Sequence, residues 1–192
     1  ILPDRRSPTT VEYTVPTNIL QDADAHVRLE ALLMLAEAPP LARAANSLAD
    51  MLAHADNARD PWIPDAIAMA AVQQGGAVLL FDILERRMPS SDSIAMLGVA
   101  RAVNKMARVY AGREDASAVV TVVETVPRAT PNVAVAMLDG IAQAWPEEKP
   151  PQFTDSQRNQ MLTATRAAAG PVAEALSRVA ARWKLPEIFR GQ

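Results

Sequence analysis

The sequence predicts an all-α chain, a right-handed α-solenoid of about four to five helix pairs, and three observations predict it. Of the 192 residues 49% are hydrophobic, yet only 4% are aromatic and only 7 are Gly. The apolar content is therefore carried largely by Ala and Leu, strong helix formers, rather than by the residues that sheets select. Most of the 15 Pro flank apolar runs, where Pro stops one helix and is tolerated at the first position of the next. Helix starts recur near Ala25, Pro61, Asp92, Pro131 and Pro171, roughly every 30 to 40 residues, the period of stacked helix pairs. One such pair cannot bury its apolar faces alone, so neighbours share a core. That is why helices opened by an Asp run on in Ala, Leu, Ile and Met.

Residues 1–17, with three prolines and one alternating patch at Val11–Val15, read as a linker or extended arm. The solenoid is expected over residues 18–185 and a short tail over 186–192. Asp24 can cap a helix over about Ala25 to Ala38, its carboxylate accepting backbone N–H groups left without partners. Pro39-Pro40 ends that helix and starts the next, to about His54. Asp60-Pro61 repeats the device, with Asp as cap and Pro at the first helical position, for a helix to about Gln74. Gly75-Gly76 breaks it, and Val78 to Arg87 forms its partner. After Ser91-Asp92 a longer helix places Met96, Val99, Val103, Met106 and Tyr110 on one apolar stripe, with Gly112 closing it. The β-branched run from Asp115 to Thr125 would pass for a strand in isolation; in an all-helical setting it is read as helix. Thr130-Pro131 opens a helix to about Trp145, and PEEKPP is a surface loop. Thr154 and Gln157 form a capping-box pattern for a helix to about Ala169. Gly170-Pro171 separates it from the last helix, which ends near Lys184.

Composition excludes several functions. The net charge of -3 offers no general attraction for nucleic acid. With no Cys there is no disulfide, thiolate metal site, cysteine nucleophile or covalent c-type haem on this segment. No apolar run approaches the roughly 18 residues of a membrane span, and no signal-peptide pattern is present. The first residue is Ile rather than Met, so the chain is expected to be a fragment of a larger bacterial protein.

The segment DADAHVRLEALLMLAE carries Asp24, Val27, Arg28 and Ala31 in the pattern Asp-x-x-Val-Arg-x-x-Ala. This resembles HEAT repeats and the HEAT-like repeats of phycobilin lyases. The resemblance implies a capping Asp and an Arg that ties adjacent repeats. Asp60, Pro61 and Trp62 stand at the corresponding start of the second repeat, where Pro64 occupies the place of the Arg. A second resemblance spans about Pro16 to Trp183. The order of its helical segments is similar to the helical-repeat region of large secreted bacterial proteins, which lies there between a quinone-dehydrogenase-like propeller and a C-terminal cytochrome c. It implies a spacer or docking module in a periplasmic or secreted redox protein. Neither the propeller nor a haem-attachment motif lies in these residues, so no catalytic residue is carried over and no cofactor is expected on this segment.

Candidate sites are few. His26 and His54, the only histidines, could meet near Asp22, Asp24, Asp50 and Asp56 as metal ligands; exposed helix-end residues are the ordinary outcome for such positions. Arg101, Lys105 and Arg108, continued by Arg113, form a basic stripe opposite the apolar one. An anionic partner could bind there, although most such stripes are simply solvated faces. Arg178, Arg182, Lys184 and Arg190 form a second basic group, read in the same way. Trp62 is expected to pack between repeats; exposed, it would be a binding anchor. The glycines of QQGGAV lack a phosphate-loop Lys-Ser/Thr, and the Ser and Thr residues have no matched His and acid.

The expected function is a non-catalytic protein-interaction or spacer module, holding a protein partner or flanking domains in register, with partner contacts sought on the second helices of each pair. It is not expected to be an enzyme by itself. Two alternatives differ in class: an accessory helical domain lining the cleft of a periplasmic quinone- or haem-dependent dehydrogenase, and a lyase-like HEAT module binding a small ligand.

Overall fold

The computed structural model describes residues 18–41, 44–74, 92–112, 129–147 and 149–185, together with Val119, Val123 and Val126. Among these residues there are eight α-helices, one 3₁₀ turn at Ile19–Gln21 and no strand: α1 (Ala25–Glu37), α2 (Ala44–Ala53), α3 (Ala55–Arg59), α4 (Ile63–Gln74), α5 (Ser93–Gly112), α6 (Pro131–Ala144), α7 (Asp155–Ala167) and α8 (Pro171–Trp183). The chain is all-α, as expected.

Asp carboxylates open the early helices. The Asp24 side chain accepts from the His26 N–H, that of Asp60 from the Trp62 and Ile63 N–H groups, and that of Asp92 from the Ile94 and Ala95 N–H groups. Each satisfies donors that the first helical turn leaves without partners. At α7 the capping box is complete, Thr154 and Gln157 bonding each other's backbone N–H groups.

The longer helices follow one another in contact: α1 packs on α4, α4 on α5, α5 on α6 and α6 on α8. The short helix α3 packs on α5, and α2 packs on α3 and α4. One continuous core runs through them. The expected stripe of Met96, Val99, Val103, Met106 and Tyr110 is buried throughout. At the end of the row Trp145 and Trp183 meet edge to face with ring centroids 5.7 Å apart, and Phe153 lies 5.3 Å from Trp183 in the same manner.

Polar ties between neighbours recur at separations of 32 to 41 residues. The Gln74 side chain, at the last residue of α4, donates to the carbonyls of Leu35, Ala38 and Pro39 at 2.7, 3.0 and 3.2 Å, and accepts from the Leu41 N–H at 2.7 Å. The cause is local. Pro39 and Pro40 carry no N–H, so the chain leaving α1 cannot close its own last carbonyls, and a side chain from the neighbouring helix does so. Asn104 on α5 likewise donates to the Ala136 carbonyl on α6. Arg178 on α8 grips Asp139 on α6, and Arg182 donates to the Trp145 carbonyl.

Two glycines inside helices permit close approach. A Cβ on Gly98 would land on the Ala58 carbonyl oxygen of α3, and one on Gly140 would lie 2.5 Å from the Asn104 carbonyl oxygen of α5.

Several boundaries differ from expectation. The helix expected from Leu41 to His54 is described from Ala44 to Ala53 and is followed by a separate turn of helix, α3. His54 is extended there (φ -81°, ψ 122°), and the Met51 carbonyl is taken by the His54 N–H and the Asn57 amide. Pro61 precedes α4 rather than occupying its first position, because the Asp60 carboxylate holds Trp62 and Ile63 in a turn; Pro64 falls inside the first helical turn instead. Arg28 braces its own N-terminal turn through the Asp22 and Ala23 carbonyls rather than reaching an adjacent repeat. The arm at 1–17, the tail at 186–192 and the helix at Val78–Arg87 lie outside the described residues, as does most of Asp115–Thr125. Within that last run Val119 and Val123 are helical and buried.

Replacing an interior helical Gly by Ala ordinarily gains up to about 1 kcal/mol. Here Gly98→Ala and Gly140→Ala are expected to destabilise by about 1–3 kcal/mol, because α3 and α5, or α5 and α6, must part to admit the methyl group. Gly112→Ala, with nothing within 4 Å, serves as the control and should not destabilise. Gln74→Leu, which removes four hydrogen bonds at the end of α1, is expected to cost about 1–3 kcal/mol, whereas Gln73→Leu, which loses one longer bond to the Ala38 carbonyl, should cost less. Urea unfolding followed by circular dichroism measures both series.

Candidate docking surface

The outward stripes of α4 and α5 lie side by side. On α4 and the turn before it the stripe is Trp62, Asp65, Met69 and Val72; on α5 it is Ile94, Leu97, Arg101, Lys105 and Arg108. Steps of three and four residues keep each set on one face. The stripes are joined at the middle. The Asp65 carboxylate forms ion pairs with Arg101, whose Nε lies 3.0 Å from one oxygen, and with Lys105, whose Nζ lies 2.6 Å from the other. Arg101 also donates to the Pro61 carbonyl at 2.9 Å. Arg59 on α3 pairs with Asp92, fixing the start of α5.

This ionic belt separates two apolar areas. On the N-terminal side Trp62, Ile94 and Leu97 are 67%, 62% and 71% exposed. On the C-terminal side an open groove of about 610 Å³ is lined by Ala36, Met69, Val72, Lys105, Arg108 and Val109, and by Ala144 of α6. Met69 is 58% exposed. Contiguous exposed apolar surface of this kind marks contact sites rather than ordinary solvent-facing protein.

The expected site residues are distributed unevenly over this surface. Arg101 and Lys105 do share a face with Arg108, but both are already paired with Asp65; among the described residues Arg108 has no ion-pair partner. Arg113 lies outside the described residues. Trp62 does not pack between repeats. The Asp60 turn places it ahead of the helix, and Ile63, 1% exposed, takes the buried position. Of the repeat-signature residues, Ala31 is buried, Val27 is 38% exposed and Asp24 caps α1 as read from sequence. The groove lies mainly on α4 and α5, which the sequence reads as first members of their pairs, not on the second helices. Asp65 was not anticipated; its signal is an acid one helix-pair period before a base, repeated by Asp139 and Arg178.

Other concavities are more polar. Between α6 and α8 the cations are held by Asp139, Glu147 and the Trp145 carbonyl. A recess of about 490 Å³ is lined by Asp22, Asp50 and Asp56 together with Arg28 and His54. His26 and His54 are exposed, His26 lying 3.4 Å from Asp24, and no group of three or more His, Asp or Glu side chains among the described residues could hold a metal ion. No helix among them is long and apolar enough to cross a membrane.

These features define an all-helical chain with an open, apolar, partly cationic groove on α4 and α5. No family model, no curated protein and no solved structure matches the chain.

Hydrogen bonding from the Ala95 N–H, followed by the Arg59 guanidinium, holds the Asp92 carboxyl below the usual carboxylate range, and the His26 N–H does the same for Asp24. A carboxyl with a lowered folded-state pKa contributes stability in full above the ordinary carboxylate range and loses it as pH falls through the folded-state value. Acidification from about pH 7 to about pH 3 should therefore lower the melting temperature, and Asp92→Ala should make that decline shallower. Thermal melts across this range decide it.

Proposed function

We propose that this chain is a non-catalytic interaction or spacer module, built as an α-solenoid of HEAT-like helix pairs, in which a row of helices holds a binding surface in fixed geometry. The observation that carries this reading is the exposed α4–α5 surface: large apolar side chains beside a pinned ionic belt, on helices cross-tied at separations of 32 to 41 residues. The repeated separations support the solenoid, since each unit of such a fold contacts only its neighbours. The sharing of neighbours' helix ends supports rigidity, which lowers the ordering cost of binding. No nucleophile–base pair or metal cluster is assembled on this surface among the described residues, and its open form suits a macromolecular contact. The partner is a protein or a flanking domain of the same polypeptide.

One observation favours a second reading. A groove of about 610 Å³ falls within the roughly 300–1,000 Å³ of small-molecule sites, which suits a ligand-binding module or a wall of a redox cleft. Thermal denaturation with a soluble quinone, with haem and with a divalent metal ion separates the two. The interaction-module reading expects melting temperatures within about 1 °C of the unliganded chain. A saturable rise of several degrees with any one of them would favour the small-ligand reading and remove the scaffold one.

A further inference from the structure

We infer that the α4–α5 face takes an acidic amphipathic helix of a partner protein, seated with apolar side chains at both ends of the ionic belt; this deepens the interaction-module reading and rests on it. Three features specify the occupant.

The first is shape. Trp62 and Leu97 at one end and Met69 and Val109 at the other are the exposed anchors. From Leu97 to Val109 is twelve residues of one helix, about 18 Å at 1.5 Å per residue. A straight helix of about 12 to 16 residues reaches both ends, laying apolar residues at steps of three and four into the groove. Small ligands fill the groove but leave Trp62, Ile94 and Leu97 uncovered.

The second is chemistry at the anchors. Met side chains adapt to varied partners, while a Trp presents a large rigid area at low entropic cost. Exposed Met69 and Trp62 supply one of each.

The third is charge. Asp65 pairs with Arg101 and Lys105 and Arg108 stands unpaired among the described residues, so these four side chains carry a net charge of +2 (three cations less one carboxylate) in a chain of net charge -3. The three cations all lie on α5, whereas α1, which lines the groove through Ala36, carries the exposed acids Glu30 and Glu37. A partner helix therefore sets its acids over α5, toward Arg108, and this fixes its rotation about its own axis. Such pairing adds orientation and speed of association more than affinity.

The test is selection from a displayed library of 16-residue helical peptides, randomised at apolar and charged positions, against the intact chain. Enriched peptides are expected to carry apolar residues at both ends and a net negative charge. Their affinity should fall at least tenfold with Leu97→Ser or Arg108→Glu, and should weaken as salt is raised. Both substitutions are at exposed positions, and unchanged circular dichroism and melting confirm that each variant is folded. Enrichment of neutral or basic peptides, binding indifferent to both variants, or no enrichment at all would overturn the proposal. Concentration-dependent self-association in sedimentation, abolished by Leu97→Ser, would also overturn it by making a second copy the occupant, while leaving the interaction-module reading intact. That broader reading fails separately, through the quinone, haem or metal thermal shift described above.

Discussion

The structure depends on a constraint at helix ends. Helices of ten to twenty residues leave several backbone carbonyls open at each C-terminus, and here the ends of α1 and α6 stand beside proline. Pro39 and Pro40 carry no N–H and so cannot close the last carbonyls of α1. The amide of Gln74 does so from the next helix of the row, with its oxygen accepting from Leu41. The Trp145 carbonyl, at the end of α6, is likewise taken by Arg182 of α8. A helix completed by its neighbour is not a stable object by itself. Burial of polar groups and order along the row are thus coupled: moving α4 away from α1 exposes apolar side chains and breaks four hydrogen bonds of one residue.

The same coupling shapes the exposed face. Gly98 lets α5 approach the backbone of α3 and Gly140 lets α6 approach that of α5, while ion pairs span α4–α5 and α6–α8. Asp65 meets Arg101 and Lys105 in the first case, and Asp139 meets Arg178 in the second. Such part-exposed pairs contribute little stability, roughly 0–1 kcal/mol each. Their effect is positional. With Arg101 drawn to Asp65 and to the Pro61 carbonyl, the long cationic side chains lie across the face rather than over Leu97 or Met69, and the apolar areas at either end stay open.

Much of the fold was legible in the sequence, because the signals that encode it are local. Asp24, Asp60 and Asp92 announce helix starts through their own hydrogen bonds to nearby N–H groups, Thr154 and Gln157 spell out a capping box, and the 3–4 spacing of Met96 to Tyr110 states which side of α5 is buried. What was not legible depends on partners far along the chain. A Gly in the middle of a helix reads as a weakness until Ala58 or Asn104 is known to face it. Gln74 reads as a polar helix end until the two prolines upstream are set beside it. The basic stripe on α5 was correctly placed on one face, yet nothing local distinguishes Arg101, which is paired, from Arg108, which is not. Trp62 was misjudged for a related reason. Its character favours burial, but a two-residue shift in the start of α4 gives the inward position to Ile63.

The division of the three tryptophans has an optical consequence. Trp145 and Trp183 sit in a single dry aromatic cluster at the end of the row, while Trp62 stands in water some 80 residues earlier in the chain. The unlabelled chain thereby carries two chromophores of different colour. Emission from the cluster pair is blue-shifted and sheltered from dissolved quenchers, and that from Trp62 is red-shifted and open to them. Loss of the sheltered signal reports melting at the α6–α8 end, and protection of the open one reports a molecule arriving at the α4–α5 face, so stability and occupancy can be followed independently in one cuvette.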